Sequence, residues 1–296
     1  MNTVEVSPSI ALKNLLFATD FSPCSNAALP YAVAVAHRCS ANLFAAHVVS
    51  AESYLFVGPE VWRALQMDEQ QAPPPVDAAA LEEHLRGARH EVLTPEGDVS
   101  NVLFRLVRDH NIDLLVLGTH GRTGLQKLLM GSVAESIFRL APCPVLTVGP
   151  HVRDGEHAPD LRHVLFATDF SEESLRASRY AVSLAQCHRA RLSVIHVLQD
   201  PATGTVNLES NEDFLLARLR EAVPPEPSLQ FQPGYVVSFG LVAEQILGFA
   251  ADHNADLIVL GVRAAYPGRG TGPLLGNTTA QQIVAHASCP VLTVRG

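Results

Sequence analysis

LFATDFS occupies Leu16–Ser22, and the same seven letters return at Leu165–Ser171, a shift of 149 positions. Two further pairs follow in the same order. DHNIDLLVLG at Asp109–Gly118 returns as DHNADLIVLG at Asp252–Gly261, and CPVLTV at Cys143–Val148 returns unchanged at Cys289–Val294. The offsets are 149, 143 and 146, so the repeat takes in nearly the whole chain. Two copies of one unit are joined head to tail.

Working outward from the first block, Asn14–Thr19 (NLLFAT) is a short apolar run that stops at Asp20, as a buried strand does. Ser22 can cap a helix and Pro23 suits its first position, where a missing N–H costs nothing. Ala27, Ala28, Tyr31, Ala32, Val35 and Ala36 then recur at helical spacing. Further strands are expected at Asn42–Val49, Glu91–Leu93, Asp113–Leu117 and Val145–Val148, with helices near Asp98–His110 and Ser132–Leu140. The second copy repeats the scheme, with strands near His163–Thr168, Arg191–Leu198, Gly234–Val237, Asp256–Leu260 and Val291–Val294.

Strands that read as nearly continuous apolar runs and alternate with helices imply a parallel sheet covered on both faces. The expected fold is therefore α/β, with two repeated domains. Each is a five-stranded doubly wound parallel sheet of order 3-2-1-4-5 flanked by helices. The polar stretch Gly149–Arg162 (GPHVRDGEHAPDLR) reads as a linker, giving domains at 1–148 and 163–296. Ala51–Ala80, with Pro73–Pro75 and the one tryptophan, Trp62, reads as a long loop in the second crossover; a lid or partner surface is the other reading.

The chain has 296 residues, enough for two cores, and a formal charge of −9. That balance argues against nucleic acid as the main partner, since phosphate backbones select basic surfaces. No apolar run approaches the roughly 18 residues of a membrane span. The opening MNTVEVSPSI lacks the basic and apolar regions of a secretory signal, so a cytoplasmic location is expected. Five cysteines without CxxC spacing read as reduced thiols.

Strand four runs directly into GTHGRTGLQKLLMGS, Gly118–Ser132. Gly118 and Gly121 remove side chains where backbone could approach a bulky ligand. Gly131-Ser132 opens the next helix, whose unpaired N–H groups favour a phosphate, and Ser132 can cap that helix or donate to a phosphate oxygen. Arg122 and Lys127 add positive charge. Neither a Walker loop nor a GxGxxG after strand one is present. A crossover that merely turns is the competing reading. Asp20 has two readings as well: an acceptor for an adenine amine or ribose hydroxyl, or a residue that starts a helix. It opens onto the switch-point crevice between strands one and four, where folds of this order bind ligands.

The strand ending ATD (Ala18–Asp20), the pattern Gly118-x2-Gly121-x9-Gly131-Ser132 and the closing CPVLTV strands together resemble the universal stress protein family in its tandem form. The resemblance implies an ATP site. Ala18, Thr19 and Asp20 would lie at the adenosine and Val48 against the base. Gly118, His120, Gly121, Arg122, Gly131, Ser132 and Val133 would line the ribose and phosphates, with Mg2+ held through the phosphates where it is present. Family members pair their last strand with its mate, so the two copies here are expected to pack as an intramolecular pseudo-dimer. Association of two whole chains stays open.

In the second copy, Ala264 stands where the second glycine belongs, Gly276 arrives two residues late, and Asn277 replaces the serine. One competent site, in domain one, is the expectation. The leading reading is a nucleotide-binding stress or regulatory protein that binds rather than turns over. A slow ATPase or adenylating enzyme, and a nucleotide-free interaction scaffold, are the alternatives. His47 and His196 read as satisfied buried histidines, and neither a catalytic triad nor metal-ligand spacing stands out.

Overall fold

In the computed structural model, residues 10–49, 77–86, 88–119, 131–152, 160–199, 208–225, 227, 229–263 and 278–295 are described. The first half runs β1 (Asn14–Ala18), α1 (Pro23–Cys39), β2 (Asn42–Ala46), α2 (Asp77–His84), β3 (His90–Leu93), α3 (Val99–Asp109), β4 (Leu114–Gly118), α4 (Ser132–Leu140) and β5 (Val145–Val148). The second runs β6 (His163–Ala167), α5 (Glu172–His188), β7 (Arg191–Leu198), α6 (Leu208–Ala222), β8 (Gly234–Phe239), α7 (Val242–Asp252), β9 (Leu257–Val262), α8 (Thr279–His286) and β10 (Val291–Arg295).

The expected strand order 3-2-1-4-5 is found in the first half and repeated in the second. The two sheets are continuous: β3-β2-β1-β4-β5-β10-β9-β6-β7-β8. Every neighbouring pair is parallel except β5 with β10, which run antiparallel with Leu146 opposite Leu292. Pairing the closing strands hides two edges that would otherwise invite association. Thr147 Oγ1 donates to the Val291 carbonyl (3.0 Å) and Thr293 Oγ1 to that of Val145 (3.3 Å), a reciprocal pair about a local two-fold axis.

One core lies along a single face of the whole sheet, where Ala28, Ala32 and Val35 of α1 join Ala177, Ala181 and Leu184 of α5. The small residues let these helices lie close to the sheet. On the opposite face α3 and α4 cover the first half, and α7 and α8 the second. Phe138 of α4 enters the second half's core, and Arg295 donates to its carbonyl. The linker's ends are held down by burial of Val152 and Leu161.

Helices α2 and α6, both in second crossovers, are absent from the sequence expectation. Helix α2 begins within the stretch read as a loop; Leu81 on it and Leu85 just past its end are buried, as is Leu219 on α6. The rest of that stretch, with Trp62 and Pro73–Pro75, lies outside the described residues.

Candidate functional site

The carboxyl end of β1 turns into α1 through Thr19-Asp20-Phe21-Ser22. Ser22 is the N-cap, accepting from the Ser25 N–H, and Pro23 follows it, as expected. Thr19 is buried; its hydroxyl meets Ser25 Oγ at 3.1 Å and accepts the Phe21 N–H at 3.0 Å. Asp20 Oδ1 accepts the Ser22 N–H at 3.0 Å. The second half builds the same turn: Thr168 with Ser174 (2.9 Å), Phe170 N–H to Thr168, and Ser171 N–H to Asp169 (3.0 Å). Phe21 and Phe170 both take a left-handed backbone, φ 60° and 61°. A bulky residue there is strained, and each ring rests on a histidine, His47 or His196.

Those histidines are satisfied. His47 Nδ1 donates to the Thr19 carbonyl (2.9 Å) and His196 Nδ1 to that of Thr168 (2.8 Å), tying the tips of neighbouring strands. Each carbonyl partner fixes the tautomer.

Gly118 ends β4 directly against the first turn of α1. A Cβ on it would lie 2.5 Å from the Cys24 carbonyl oxygen and 2.8 Å from the Ser25 nitrogen. Gly261 meets the backbone of Glu173 and Ser174 in the same way. The glycine is thus needed where helix presses on strand in both halves, whatever binds above it.

Beyond Gly118 the chain leaves the sheet at buried Thr119, whose N–H bonds to the Val148 carbonyl (3.0 Å). The Gly131 N–H bonds back to the Thr119 carbonyl (2.8 Å), so the start of α4 is fastened to the end of β4. His120, Gly121, Arg122 and Lys127, between these two points, lie outside the described residues. Strands β1 and β4 pair directly, while α1 and α4 cover opposite faces. Ala18, Val48 and Val133 belong to one apolar cluster at this switch point, although Val48 is itself buried (7% exposed). Ala18, Gly131 and Val133 are half-buried and Ser132 is exposed.

One local expectation changes. The N-cap of α4 is Gly131, with no side-chain cap, and Ser132 is the first helical residue. In the second half Thr278 caps α8 in a closed capping box: its hydroxyl takes the Gln281 N–H at 3.2 Å, and Gln281 Oε1 takes the Thr278 N–H at 3.0 Å. The helix ends align Ile137 with Ile283 and Ala141 with Ala287, so Thr278, not Asn277, is the counterpart of Ser132.

A second difference was not legible from spacing. Arg263, just past β9, reaches within 4.0 Å of Asp169 at the tip of β6. Burial pushes the Asp169 carboxyl up, but hydrogen bonds from Ser171 and Ser174 outweigh it and hold the group below its ordinary range. Its hydroxyl bond from Ser171 is short, 2.5 Å. Ala264, Gly276 and Asn277 lie outside the described residues. Among the described residues there is no group of three or more His, Cys, Asp or Glu placed to hold a metal ion, and no helix long and apolar enough to cross a membrane.

Comparison with known proteins bears on this geometry directly. The sequence model of the universal stress protein family matches residues 11–149 and again 160–295. A universal stress protein of Methanocaldococcus jannaschii is 31% identical over 141 residues, 46% of this chain and 81% of that protein. One from Thermus aquaticus is 37% identical over 144 residues, 45% of this chain and 97% of its own length. The crystal structure of a universal stress protein from Archaeoglobus fulgidus superposes with a TM-score of 0.66 at 21% identity, covering 97% of this chain and 99% of that one, which speaks to fold. The chain belongs to the universal stress protein family, two copies of whose domain it carries in tandem.

Proposed function

We propose that the first half binds ATP at the β1/β4 crevice and that the protein acts in the cytoplasm by holding nucleotide in a stress or regulatory role. The observation that carries this reading is the contrast between the two helix entries. Helix α4 opens on a glycine without a side-chain cap, fastened at the switch point, so its first-turn N–H groups face no cap from that residue. Such a terminus favours a phosphate through both hydrogen bonds and the helix dipole. Helix α8 has its own threonine cap, and the carboxylate across that crevice already has an arginine beside it. This supports one competent site per chain.

Gly131, Ser132 and Val133 fit a phosphate group at the mouth of α4, with Gly121, Arg122 and His120 completing the loop. Ala18, Val48 and Asp20 would border the adenosine. Thr19 acts by positioning, since its hydroxyl is committed to the turn. Mg2+, where it accompanies the nucleotide, would be held through the phosphates.

The test is calorimetry on the full chain with ATP, paired with mass spectrometry of small molecules released from freshly purified protein. About one nucleotide per chain is expected, with turnover far below the roughly 1–1000 s⁻¹ of ordinary enzymes. Gly121→Val and Gly131→Val should each abolish retention. Undiminished affinity in both variants would refute the loop assignment, and phosphate release on the scale of seconds would favour an enzyme.

A further inference from the structure

Among the described residues, the cavity that stands out lies away from the proposed nucleotide site, at the amino ends of β1–β3. It has a volume of about 450 Å³ and sits where the two halves meet; Lys13, Cys39, Asn42, Arg89, Gln186 and Cys187 are among its lining residues. Cys39 closes α1 and Cys187 is the penultimate residue of α5. Both thiols line this cavity, one from each half, near enough for each to shift the other's acidity. Nearby, the Ile10 N–H donates to Ser183 Oγ (2.8 Å), a second link between the halves.

The contact follows from the local two-fold. The 149-residue shift maps Cys39 onto His188 and Cys187 onto Arg38. Arg38 and His188 also interact, so one pair of positions is used twice, once as two thiols and once as cation and imidazole.

We propose that Cys39 and Cys187 form a reversible disulfide that joins the two domains, with a hydroperoxide as the oxidant. The two cysteines line one cavity from opposite sides of the domain boundary, both are half-buried rather than sealed, and the cavity gives a small oxidant access to them. The two cysteines that are symmetry mates behave differently. Cys143 and Cys289 are 8% and 5% exposed, and burial pushes both thiols up to about 12, leaving them inert. Sharing a proton between the two neighbouring sulfurs favours the thiolate on Cys187 and disfavours it on Cys39. Cys187, the less buried of the two at the cavity, is assigned as the attacking sulfur.

Its thiolate attacks one peroxide oxygen, the O–O bond breaks, and the departing alkoxide takes a proton to leave as the alcohol (water, for hydrogen peroxide). Cys187 is now a sulfenic acid. The sulfur of Cys39 then attacks that of Cys187, the S–O bond breaks, and the hydroxide leaves as water with the Cys39 proton. Two thiols have lost two electrons and one hydroperoxide has gained them. A dithiol reductant reverses the bond by exchange.

The experiment uses the intact, fully reduced protein without nucleotide, so its outcome is separable from that of the ATP site. Hydrogen peroxide is added, free thiols are alkylated, and intact mass and peptide maps are recorded. The expected result is loss of two hydrogens per chain, one disulfide-linked peptide joining Cys39 to Cys187, reversal by dithiothreitol, and a higher urea midpoint for the oxidised form. In Cys39→Ser, dimedone should trap a sulfenic acid at Cys187. Full alkylation of both residues after peroxide, or a disulfide mapped to any other pair, overturns the proposal. Trapping at Cys39 in Cys187→Ser, with none at Cys187 in Cys39→Ser, overturns the assigned direction of attack.

Discussion

A methyl group added at Gly118 would have to displace the backbone of the first turn of α1, because no flexible side chain lies in its way. Overpacking of that kind costs about 1–3 kcal/mol, at the upper end where backbone must move. Gly118→Ala is therefore expected to lower thermal stability even with no nucleotide present, and Gly261→Ala should do the same. Gly248, within α7, is the control: a Cβ there meets nothing within 4 Å. Gly248→Ala should stabilise by about 0.5–1 kcal/mol through helix propensity. Urea denaturation of the three variants checks the set, and a neutral Gly118→Ala would show that the contact can relax. The glycine pattern was visible in the sequence, but its cause was divided. Gly118 serves helix packing in both copies, whereas Gly131 differs between them, and spacing cannot separate a glycine required by a neighbouring helix from one required by a ligand. The duplicated chain supplies the comparison: what both halves keep, the TDFS turn and its histidine, holds strand tip to helix start in each.

At the scale of elements, that comparison turns on how α4 and α8 begin. Replacing Gly131 with threonine would install on α4 the cap that α8 possesses. Stability of the nucleotide-free protein should rise by only a few tenths of a kcal/mol, since glycine is itself a tolerable cap. ATP affinity should fall, because one amide that would serve a phosphate is taken by the new hydroxyl. Thr278→Ala should cost about 1 kcal/mol and leave ATP binding unchanged. Paired melting and calorimetry would decide, and an unaltered affinity in Gly131→Thr would remove α4 from the site. Most elements were readable because apolar runs and caps coincide at them, as at Ser22-Pro23 and Asp98, which caps α3 by accepting the Asn101 N–H. Helices α2 and α6 escaped for a physical reason. Among the described side chains, few large ones meet the shared core there, Leu81 on α2 with Leu85 just past its end and Leu216 and Leu219 on α6, so no long apolar stripe marks either helix. The pairing of Arg263 with Asp169 was hidden because it joins the tips of two strands far apart in sequence.

The whole molecule is held along two seams, the β5–β10 strand pair and the α1–α5 helix pair, and the second contains a buried group with an acid liability. His188, the last residue of α5, is 5% exposed, and neither ring nitrogen has a hydrogen-bond partner among the described residues. Burial lowers its pKa from 6.5 to about 4; Arg38 of the opposite half pushes the same way, while Asp160 of the linker opposes. The unfolded chain takes up a proton near pH 6.5 that the folded protein refuses until about pH 4. Stability from this group is thus fully present above pH 6.5 and is lost as pH falls toward 4, by on the order of 3 kcal/mol. His188→Leu removes the titration and replaces an unpaired polar ring with an apolar side chain of similar bulk. The variant should be more stable at neutral pH by about 1–2 kcal/mol, and its urea midpoint should fall less steeply between pH 6.5 and 4. His163 has its pKa lowered, first by its own burial, and contributes to the same window in both proteins, so it cancels in the difference. Parallel midpoint-against-pH curves for the two proteins would mean that His188 finds a partner or a proton in the folded state, and the seam would then lose its assigned sensitivity to acid.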